Sequence, residues 1–542
     1  MGTAEEVDYV VVGAGSAGCV VAARLSESVA HSVALLEAGG EDKSFWIHLP
    51  VGYGKLYHDP KHNWLYESEP EPGLAGGKSF QPRGKVLGGS GSINGNVYQR
   101  GPREDFEYWR QLGNVGWGYV DVLPYFKKIE DNEQGTTDTF FGIGGPLRVS
   151  NLPRDPLSEA FIDAALQAGY SRNGYCFNGK NQEGFDYNQV SIRNGRRCST
   201  ATAYLRPARR RNNLRVIVDA LATRILFKEG AARGVEFTRN GQTQTVLARR
   251  EVILSGGVFN SPQLLQISGV GPGSLIGEFG IPLVADLPGV GENLQDHIGV
   301  GMAYQCNQPI TLNDIVNNPL RRLLAGIQYA LFRKGMLASS PVPSAGMIRT
   351  DPSLAAPDVK LQFRSWNRSH SGRAKEPVAL SPLSSFGVAV HLMHPDSRGT
   401  VRIKSSNSAE APEIRFNFFV SERDHRTAAA GMRITRKIMA MPAMARYIVK
   451  ELTPGPQCSG DSDLIDNFRH RAISGHHATG SCKMGTDDMA VVDPRLRVRG
   501  VGHLRVIDAS VMPRQVAANI NATTIMIAEK GAAMVIEDAN IL

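Results

Sequence analysis

The sequence is short of cysteine, of long apolar runs and of excess charge, and each shortage argues against a class of protein. Its six cysteines, among 542 residues, include no CxxC pair, which argues against zinc ribbons and a disulfide framework. No stretch reaches the ~18 uninterrupted apolar residues of a transmembrane helix, so no integral membrane segment is expected. No metal site is expected either. The 60 Lys and Arg against 52 Asp and Glu leave a net charge of +8, without the clustered basic face that nucleic acids require.

The first residues carry no basic or apolar leader, because MGTAEEVDYVVVG is acidic and runs directly into a strand pattern. Together with the cysteine usage, this predicts a cytoplasmic protein. A basic run from Arg206 to Arg211 precedes Asn-Asn-Leu and predicts a solvated loop rather than a contact with nucleic acid or acidic membrane. The length exceeds that of one domain of ~100–200 residues, so two large or intertwined domains are expected.

Glycine is plentiful, with 58 residues, and the first cluster has the spacing of a dinucleotide-binding turn. The β-branched run Tyr9–Val12 predicts a buried strand, and Gly13, Gly15 and Gly18 open the helix that follows. Glycines at these points permit a tight turn, a close approach to pyrophosphate and close helix packing. A second strand ends at Glu37, whose carboxylate suits ribose hydroxyls and disfavours NADP. The motif predicts dinucleotide binding and leaves NAD and FAD open.

A second glycine-rich stretch, Gln81–Gly101, reads QPRGKVLGGSGSINGNVYQRG. Its density of Gly and Ser, with few apolar residues, is not typical of a core element. It predicts backbone that packs directly against a flat polar ligand. The stretch resembles the first signature of the glucose–methanol–choline (GMC) family of flavoprotein oxidoreductases, in which Gly88, Gly89 and Ser90 would lie along the flavin and its pyrophosphate.

Two further segments carry the same resemblance. Residues from Gly257 to Gly271 resemble the second signature of the family, except at Val258, where a smaller residue is usual. The tail from Leu504 resembles the last strand and helix of the family. The resemblance therefore spans nearly the whole chain, is closest to the choline-dehydrogenase-like branch, and implies FAD as the cofactor.

The resemblance also implies an α/β fold. A Rossmann-like FAD-binding domain would be assembled from discontinuous segments and joined by a substrate domain with an antiparallel sheet. Alternating runs that begin at Phe386, Gly399 and Glu413 predict strands of that sheet, which would cover the flavin. Motif placement predicts FAD-binding segments at residues 1–155, 195–300 and 460–542, and substrate-binding segments at residues 156–194 and 301–459.

Alcohol oxidation needs a base for the O–H proton and a group that holds the oxygen, whereas a flavin accepts hydride at N5. The stretch GHHATGSCKMG begins at Gly475, and the catalytic base of the family falls on His477, with His476 beside it in the substrate pocket. The second catalytic group of the family, a His or Asn before the last helix, is predicted at Asn521. Asn519, two residues earlier, is expected to cap a turn.

Asn521 is also predicted to be the N-cap of the last helix, whose positive end would face flavin N1 and C2=O. Because an amide does not titrate, proton removal is assigned to His477 alone. The resemblance implies main-chain contacts between Ala222 and adenine, and a return of the chain to the pyrophosphate at Asp508. The predicted cofactor-binding residues are Gly13, Gly15, Ser16, Ala17, Gly18, Glu37, Ala38, Gly88, Gly89, Ser90, Asn94, Gly95, Val97, Ala222, Asp508, Ala509, Asn521, Ala522 and Thr523.

Two positions bear on how the cofactor and the substrate are held. Family members that bind FAD covalently through histidine carry it where this chain has Ile93, so we expect dissociable FAD. A cationic alcohol such as choline needs an anionic or aromatic cage, but the strand KLQFRSW, which begins at Lys360, carries positive charge. On that strand Phe363 and Trp366 are predicted to bind the substrate. Gly475 would leave room beside the flavin.

These observations predict an FAD-dependent enzyme that oxidises a small-molecule alcohol to an aldehyde or ketone. We expect a dehydrogenase with a non-oxygen acceptor, such as a quinone or another carrier. An alcohol oxidase that produces hydrogen peroxide is the alternative. A non-redox hydroxynitrile lyase of the same family and a binding flavoprotein are further alternatives.

Overall fold

The computed structural model describes residues 5–135, 140–369 and 379–541. Short 3₁₀ turns occur at Pro50–Gly52, Pro72–Leu74, Gly89–Ser92, Met336–Ala338 and Ala509–Val511, and a π-helical turn at Ala201–Leu205. The α-helices are α1 (Gly18–Leu25), α2 (Phe45–His48), α3 (Tyr53–Leu56), α4 (Arg103–Gln111), α5 (Tyr119–Ile129), α6 (Pro156–Gln167), α7 (Arg206–Ala208), α8 (Gly257–Ile267), α9 (Gly273–Glu278), α10 (Leu312–Asn317), α11 (Pro319–Phe332), α12 (Glu422–Met439), α13 (Pro442–Ala445), α14 (Asp461–Arg471) and α15 (Asn521–Ile541).

The strands form two large sheets and several two-stranded ones. In chain order they are β1 (Glu5–Val12), β2 (Val33–Leu36), β3 (Tyr66–Glu67), β4 (Phe80–Gln81), β5 (Val97–Tyr98), β6 (Glu130–Asn132), β7 (Leu147–Val149), β8 (Gly184–Tyr187), β9 (Gln189–Val190), β10 (Ile192–Arg193), β11 (Arg196–Arg197), β12 (Leu214–Ile217), β13 (Leu221–Lys228), β14 (Ala231–Arg239), β15 (Gln242–Leu254), β16 (Val270–Gly271), β17 (Ala285–Asp286), β18 (Ile298–Cys306), β19 (Ser344–Ile348), β20 (Val359–Arg364), β21 (Ser385–Leu392), β22 (Thr400–Arg402), β23 (Glu413–Arg415), β24 (Ile448–Thr453), β25 (Ile473–Ser474) and β26 (Leu504–Val506).

The first large sheet has the order β12-β2-β1-β15-β14-β13, and β26 pairs with β15. Its core is parallel, because β2, β12, β15 and β26 run in the direction of β1, whereas β13, β14 and β15 form an antiparallel meander. The predicted strand Tyr9–Val12 is buried throughout, as expected for a strand covered on both faces. Helix α1 packs against β1 and β2, and α15 packs against α1. The βαβ unit predicted from the first motif is therefore confirmed.

The second large sheet is antiparallel throughout and has the order β24-β18-β21-β20-β19-β8, with β25 paired to β18. Its central strand β21 is buried at all eight positions, and α12 packs on it. The predicted α/β class, with a second antiparallel sheet, is confirmed. The segment boundaries of the two predicted domains remain a prediction.

One prediction for the second sheet is wrong. The alternating runs at Gly399 and Glu413 form β22 and β23, which pair with each other in a separate two-stranded sheet. The Val401 N–H donates to the Gly291 carbonyl at 2.7 Å, which holds this hairpin beside the loop after β17 and away from the edge of the large sheet. Within residues 5–135, 140–369 and 379–541, no helix combines the length and apolarity needed to cross a membrane.

Candidate active site

A cavity of about 390 Å³ lies between the carboxyl ends of the parallel strands and the second sheet. Its wall begins at the turn after β1, where Gly13 has φ +95° and a Cβ would lie 2.5 Å from the Ser255 carbonyl oxygen. A Cβ on Gly18 would lie 1.8 Å from the Gly13 carbonyl oxygen, and one on Gly89 would lie 2.7 Å from the Gly15 Cα. Only glycine therefore fits at these points, and bare backbone forms the wall. Such a wall fits the pyrophosphate of a dinucleotide.

Glu37 follows β2 directly and lines the same cavity. Its two carboxylate oxygens accept the N–H groups of Ala14, at 2.8 Å, and Gly39, at 2.9 Å. Burial raises the pKa of this carboxyl group to about 7. Glu37 thus connects the glycine turn to the end of β2, and its position on the cavity wall fits a contact with a ribose.

At the far side of the glycine turn, Asp508 connects β26 to the start of α8. Its carboxylate accepts the Gly257 N–H at 2.8 Å and the Ser261 hydroxyl at 2.6 Å. The sequence motifs that predicted a cofactor site at three distant places are therefore joined at one wall. The predicted cofactor-binding residues on that wall are Gly13, Gly15, Ser16, Ala17, Glu37, Ala38, Gly89, Ser90, Asn94, Gly95, Val97, Ala222, Asp508, Ala509 and Asn521.

Four predicted cofactor residues lie off the wall of the cavity. Gly18 packs under Gly13, and the Gly88 N–H donates to the Ala14 carbonyl at 2.7 Å. Ala522 and Thr523 are buried in α15, which begins one residue earlier than predicted, at Asn521. Thr524, which was not predicted, lines the cavity.

His477 lies on the cavity wall and contacts a side chain through each ring nitrogen. Its Nε2 is 2.9 Å from the Asn519 Nδ2, and its Nδ1 is 2.9 Å from the His297 Nδ1. A Cβ on Gly475 would lie 3.0 Å from the His297 Cβ and 3.1 Å from the His477 Nδ1, so glycine makes room for this pair of rings. The predicted space at Gly475 is therefore filled largely by protein.

The predicted pairing of His477 with Asn521 is wrong. Asn521 is the first residue of α15, and its Oδ1 accepts the Ser16 hydroxyl at 2.6 Å at the nucleotide end of the cavity. Asn519 occupies the place beside His477 instead. Residues two apart on the turn into a helix point in different directions. The amide of Asn519 therefore contacts His477, whereas that of Asn521 contacts Ser16.

Lys360 fixes the orientation of the Asn519 amide. Its Nζ lies 2.8 Å from the Asn519 Oδ1 and 2.5 Å from the Gln99 Oε1. A lysine ammonium only donates, so the amide oxygen of Asn519 faces Lys360 and its NH₂ group faces His477. The His477 Nε2 therefore accepts, its proton resides on Nδ1, and that N–H donates to the His297 Nδ1. Burial lowers the pKa of Lys360 to about 7.

The neighbours of His477 also hold its backbone. The Asp296 carboxylate accepts the His477 N–H at 2.8 Å and the Ser474 hydroxyl. His476, which has φ 61°, turns its Nε2 to within 2.5 Å of the Tyr57 hydroxyl. Its side chain lines the cavity, where a substrate contact was predicted.

Burial, and next the positive charge of its neighbours, lowers the pKa of His477 well below its usual value. The same causes act on His476, where Arg83 and Arg368 contribute the charge. Burial lowers the pKa of His391, also on the wall, to about 3. His477 is therefore a neutral base at neutral pH. The sequence analysis missed His297, Asp296 and His391. No local spacing marks them, because Asp296 and His297 lie directly before β18 and His391 lies on β21.

The two aromatic residues predicted to bind substrate lie in different places in the structure. Trp366 lines the cavity, with its Nε1–H donating to the Pro341 carbonyl at 2.8 Å. The prediction for Phe363 is wrong: it is fully buried and stacks on Phe161, with ring centroids 5.0 Å apart. Alternation along β20 turns Phe363 to the core and its neighbours Gln362 and Arg364 to the cavity.

Two further observations concern what the site holds. Ile93 lines the cavity, so an aliphatic side chain stands where some family members carry a histidine. Across the described part of the chain, no group of three or more His, Cys, Asp and Glu side chains is arranged to hold a metal ion.

Comparison with known proteins gives one consistent result. A protein-family model described as GMC oxidoreductase matches residues 7–299, and a second with the same description matches residues 395–528. The chain is 42% identical to the oxygen-dependent choline dehydrogenase of Vibrio vulnificus, over 98% of this chain and 94% of that protein. It is 40% identical to a protein of Pseudomonas putida named alcohol dehydrogenase (acceptor), over 98% of this chain and 95% of that protein. The crystal structure of pyridoxine 4-oxidase from Mesorbium loti superimposes with a TM-score of 0.88 at 30% identity, over 97% of this chain and 98% of that one.

Proposed function

The chain belongs to the GMC oxidoreductase family of FAD-dependent enzymes, and from this premise we propose that it oxidises the CH–OH group of an alcohol to an aldehyde or ketone. One observation carries the proposal: the unprotonated Nε2 of His477 and the NH₂ group of Asn519 meet on the cavity wall, 2.9 Å apart. FAD, when bound, supplies the two-electron acceptor for the reaction. The bare glycine wall and Glu37 are the groups that would hold it.

The substrate hydroxyl enters between His477 and Asn519 and replaces their direct contact. Its oxygen accepts a hydrogen bond from the Asn519 Nδ2, and its proton passes to the His477 Nε2. The amide then faces the developing alkoxide, where a fixed donor stabilises charge most effectively. His477 becomes an imidazolium with Nδ1–H on His297 and its backbone N–H on Asp296, so its ring keeps its orientation while it holds the proton.

The orienting role thus moves from Asn521, where the sequence put it, to Asn519. Asn521 would serve the cofactor instead, because its side chain bonds to Ser16 next to the glycine turn. FAD would be held without a covalent bond at Ile93, because an isoleucine side chain has no nucleophilic atom. The predicted division into discontinuous FAD-binding and substrate-binding segments is consistent with the two large sheets, which meet at the cavity.

The electron acceptor after the alcohol step is proposed to be a quinone or another carrier. The Pseudomonas putida relative is named for an unspecified acceptor, and the Vibrio vulnificus relative for oxygen dependence. An oxidase that forms hydrogen peroxide is therefore the second candidate. Measuring hydrogen peroxide against dye reduction with one alcohol separates the two.

The proposed function is tested by mixing the purified holoenzyme anaerobically with a panel of alcohols and recording the visible flavin band. Loss of the oxidised band with at least one alcohol, and an aldehyde or ketone as product, is expected. Oxidised flavin that persists with every alcohol, together with cleavage of a cyanohydrin, would favour the lyase alternative. His477→Ala should abolish the bleaching; unchanged bleaching would refute the role of His477.

A further inference from the structure

The part of the cavity around His477 is basic. Five carboxylate or guanidinium side chains line the described wall: Glu37 and Asp508 at the nucleotide end, and Arg83, Arg364 and Arg368. Both acids are already engaged by backbone N–H groups or a hydroxyl. The Asp296 carboxylate beside His477 is not on the wall and is engaged by the His477 N–H and the Ser474 hydroxyl. On the described wall, therefore, no carboxylate stands near the substrate end to receive a cation, whereas three guanidinium groups line it.

Arg364 and Arg368 line the cavity and have donors without partners among the described residues. Arg364, at the end of β20, and Arg368, four residues later, lie against the Trp366 ring at 5.2 and 5.3 Å from its centroid. The Nε of each, and Nη1 of Arg368, are shielded from solvent and have no hydrogen-bond partner among the described residues. Neither arginine forms an ion pair with a described carboxylate. Burial lowers the pKa of Arg364 to about 10, so it is charged at neutral pH.

Arg83 differs from these two, because its guanidinium donates to the carbonyls of Pro82 and His476 and to Gln81. It is structural, whereas Arg364 and Arg368 have donors to spare. Unsatisfied buried donors are costly, and a planar guanidinium matches a carboxylate in two parallel hydrogen bonds. The pair therefore has the chemistry of an anion site.

This anion site adjoins the base. The Arg368 guanidinium lies 5.9 Å from the centroid of the Tyr57 ring, and the Tyr57 hydroxyl is 2.5 Å from the His476 Nε2. Tyr57 and Trp366 add aromatic surface between the arginines and the two histidines. A molecule with an alcohol at one end, an aromatic or apolar middle and an anion at the other end matches this order of groups.

Building on the proposed function, we propose that the substrate of this enzyme is an alcohol that carries an anionic group such as a carboxylate, bound by Arg364 and Arg368. A cationic alcohol such as choline would meet unpaired positive charge there. Trp366 would stack on the body of the substrate while His477 and Asn519 take its hydroxyl.

The first test measures binding alone, with molecules that cannot be oxidised. Benzoate, benzamide and benzyltrimethylammonium share a ring and differ in charge, and each is titrated into the holoenzyme while the flavin spectrum is recorded. We expect benzoate to bind at least tenfold more tightly than benzamide at low salt, with benzyltrimethylammonium weakest. Equal affinity for benzoate and benzamide, or tightest binding of the cation, would overturn the proposal.

Variants connect the preference to the two arginines. In Arg364→Gln and Arg368→Gln the ratio of the benzamide to the benzoate dissociation constant should fall severalfold toward one. Arg415→Gln, which removes an exposed arginine paired with Glu413 on the distant hairpin, should retain the wild-type ratio. A ratio that stays at its wild-type value in both site variants would contradict the assignment.

Kinetics with 4-(hydroxymethyl)benzoate and 4-(hydroxymethyl)benzamide separate this inference from the proposed function. Flavin bleaching by both alcohols without preference would leave alcohol oxidation intact and refute the anionic substrate. Selective binding of benzoate with no bleaching by any alcohol would refute alcohol oxidation instead. The expected result is bleaching by both, with kcat/KM at least tenfold higher for the benzoate.

A second, independent observation concerns α11, whose apolar face points outward. Leu320, Leu323, Leu324, Ile327 and Leu331 follow helical spacing on one face and are between 46% and 69% exposed. A helix of a globular protein normally turns such a stripe to the core, and a contiguous exposed patch marks an interaction surface. Here Tyr329 is the buried residue of the helix.

The charges that flank this stripe in the sequence are all of one sign. Arg321 and Arg322 in the first turn, and Arg333 and Lys334 after the last, are exposed, and no Asp or Glu occurs between residues 315 and 338. An apolar face flanked by basic residues is typical of a helix that lies in the interface of an anionic bilayer. We propose that α11 attaches this protein peripherally to anionic lipid surfaces, lying parallel to the membrane plane.

Co-sedimentation with vesicles tests this proposal. The protein should sediment with vesicles of phosphatidylcholine and phosphatidylglycerol. It should sediment far less with vesicles of pure phosphatidylcholine, and less with the mixed vesicles when the salt concentration is raised. Leu323→Gln combined with Ile327→Gln should weaken binding at least tenfold. The matched control, Val120→Gln combined with Val449→Gln, changes exposed apolar residues elsewhere and should bind as wild type. Absence of binding to either vesicle would refute the proposal, as would a dimer in solution that the α11 variant dissociates, since a second copy would then cover the face.

Discussion

The identity of the asparagine beside the base is the point at which the structure changes the expected chemistry most, and two single substitutions decide it. Asn519→Ala removes the NH₂ group 2.9 Å from the His477 Nε2. Asn521→Ala is the matched control: it removes the same amide two residues later, where its oxygen accepts the Ser16 hydroxyl. The two variants lose the same atoms from the same turn.

The expected effects of the two substitutions on rate and stability differ, because the two amides contact different groups. Loss of one preorganised donor to developing negative charge costs about 10²–10³ in rate, or roughly 2.7–4 kcal/mol. We expect this loss in Asn519→Ala. Loss of a hydrogen bond between neutral side chains costs about 0.5–1.5 kcal/mol of stability. Asn521→Ala should therefore lower the midpoint of thermal unfolding and the affinity for FAD, with little change in the rate of the chemical step.

The assay is anaerobic stopped-flow reduction of the flavin, with each preparation normalised to its FAD content and saturated with alcohol. A third variant, Asn519→Asp, keeps the shape of the side chain but turns a carboxylate oxygen toward His477 Nε2. Because a nearby negative charge favours the imidazolium, the pKa of His477 should rise and the acid limb of the rate profile should move to higher pH. A large loss of rate in Asn521→Ala, with Asn519→Ala near wild type, would refute the reasoning.

Other consequences are also measurable. His477→Gln should lower the rate of flavin reduction by about 10²–10⁴, the usual contribution of a general base; retention of the wild-type rate would exclude that role. Lys360→Met should lower kcat, because the Asn519 amide is then free to turn. In wild type, kcat/KM should decline as pH rises through about 7, where Lys360 loses its proton, and this decline should be absent from the variant. A pH profile of unchanged shape would show that Lys360 only packs. Acid denaturation followed by filtration should release the yellow colour into the filtrate, and colour retained with the chain would contradict dissociable FAD. Phe363→Ala should cost about 3–5 kcal/mol of stability, as large-to-small core changes do, and leave KM near its wild-type value. Trp366→Ala should raise KM and have the smaller effect on stability. A raised KM for Phe363→Ala would restore the sequence-based prediction.

The nucleotide side of the site was predictable because its chemistry depends on backbone. Gly13, Gly18 and Gly89 stand where a Cβ would collide with main-chain atoms, and such constraints appear in the sequence as fixed glycine spacing. Glu37 follows from the length of one βαβ unit. These features are local, and each is stated by a run of about thirty residues or fewer.

The substrate side was less predictable because its contacts join distant parts of the chain. His297, the residue directly before β18, contacts His477, which is 180 residues away in the sequence. Lys360 contacts Asn519, which is 159 residues away. Nothing in local spacing marks such pairs. Phe363 was misassigned because period-two alternation states that two faces exist but not which face is the core. Asn521 was preferred to Asn519 because both fit a helix start, and only the packed turn distinguishes them.

The electrostatics of the site couple the base to the proposed anion. Burial is the main reason that the pKa values of His477 and His476 are lowered, and positive charge adds to it, from Lys360 at His477 and from Arg83 and Arg368 at His476. Both imidazoles are therefore neutral at the pH where a base must be unprotonated. The imidazolium that forms when His477 takes the proton is disfavoured by the same burial and by the charge of Lys360. A substrate carboxylate on Arg364 and Arg368 would offset that penalty at the moment it arises, whereas a cationic substrate would add to it. The anionic group of the substrate would thus serve twice, in recognition by Arg364 and Arg368 and in stabilising the imidazolium of His477.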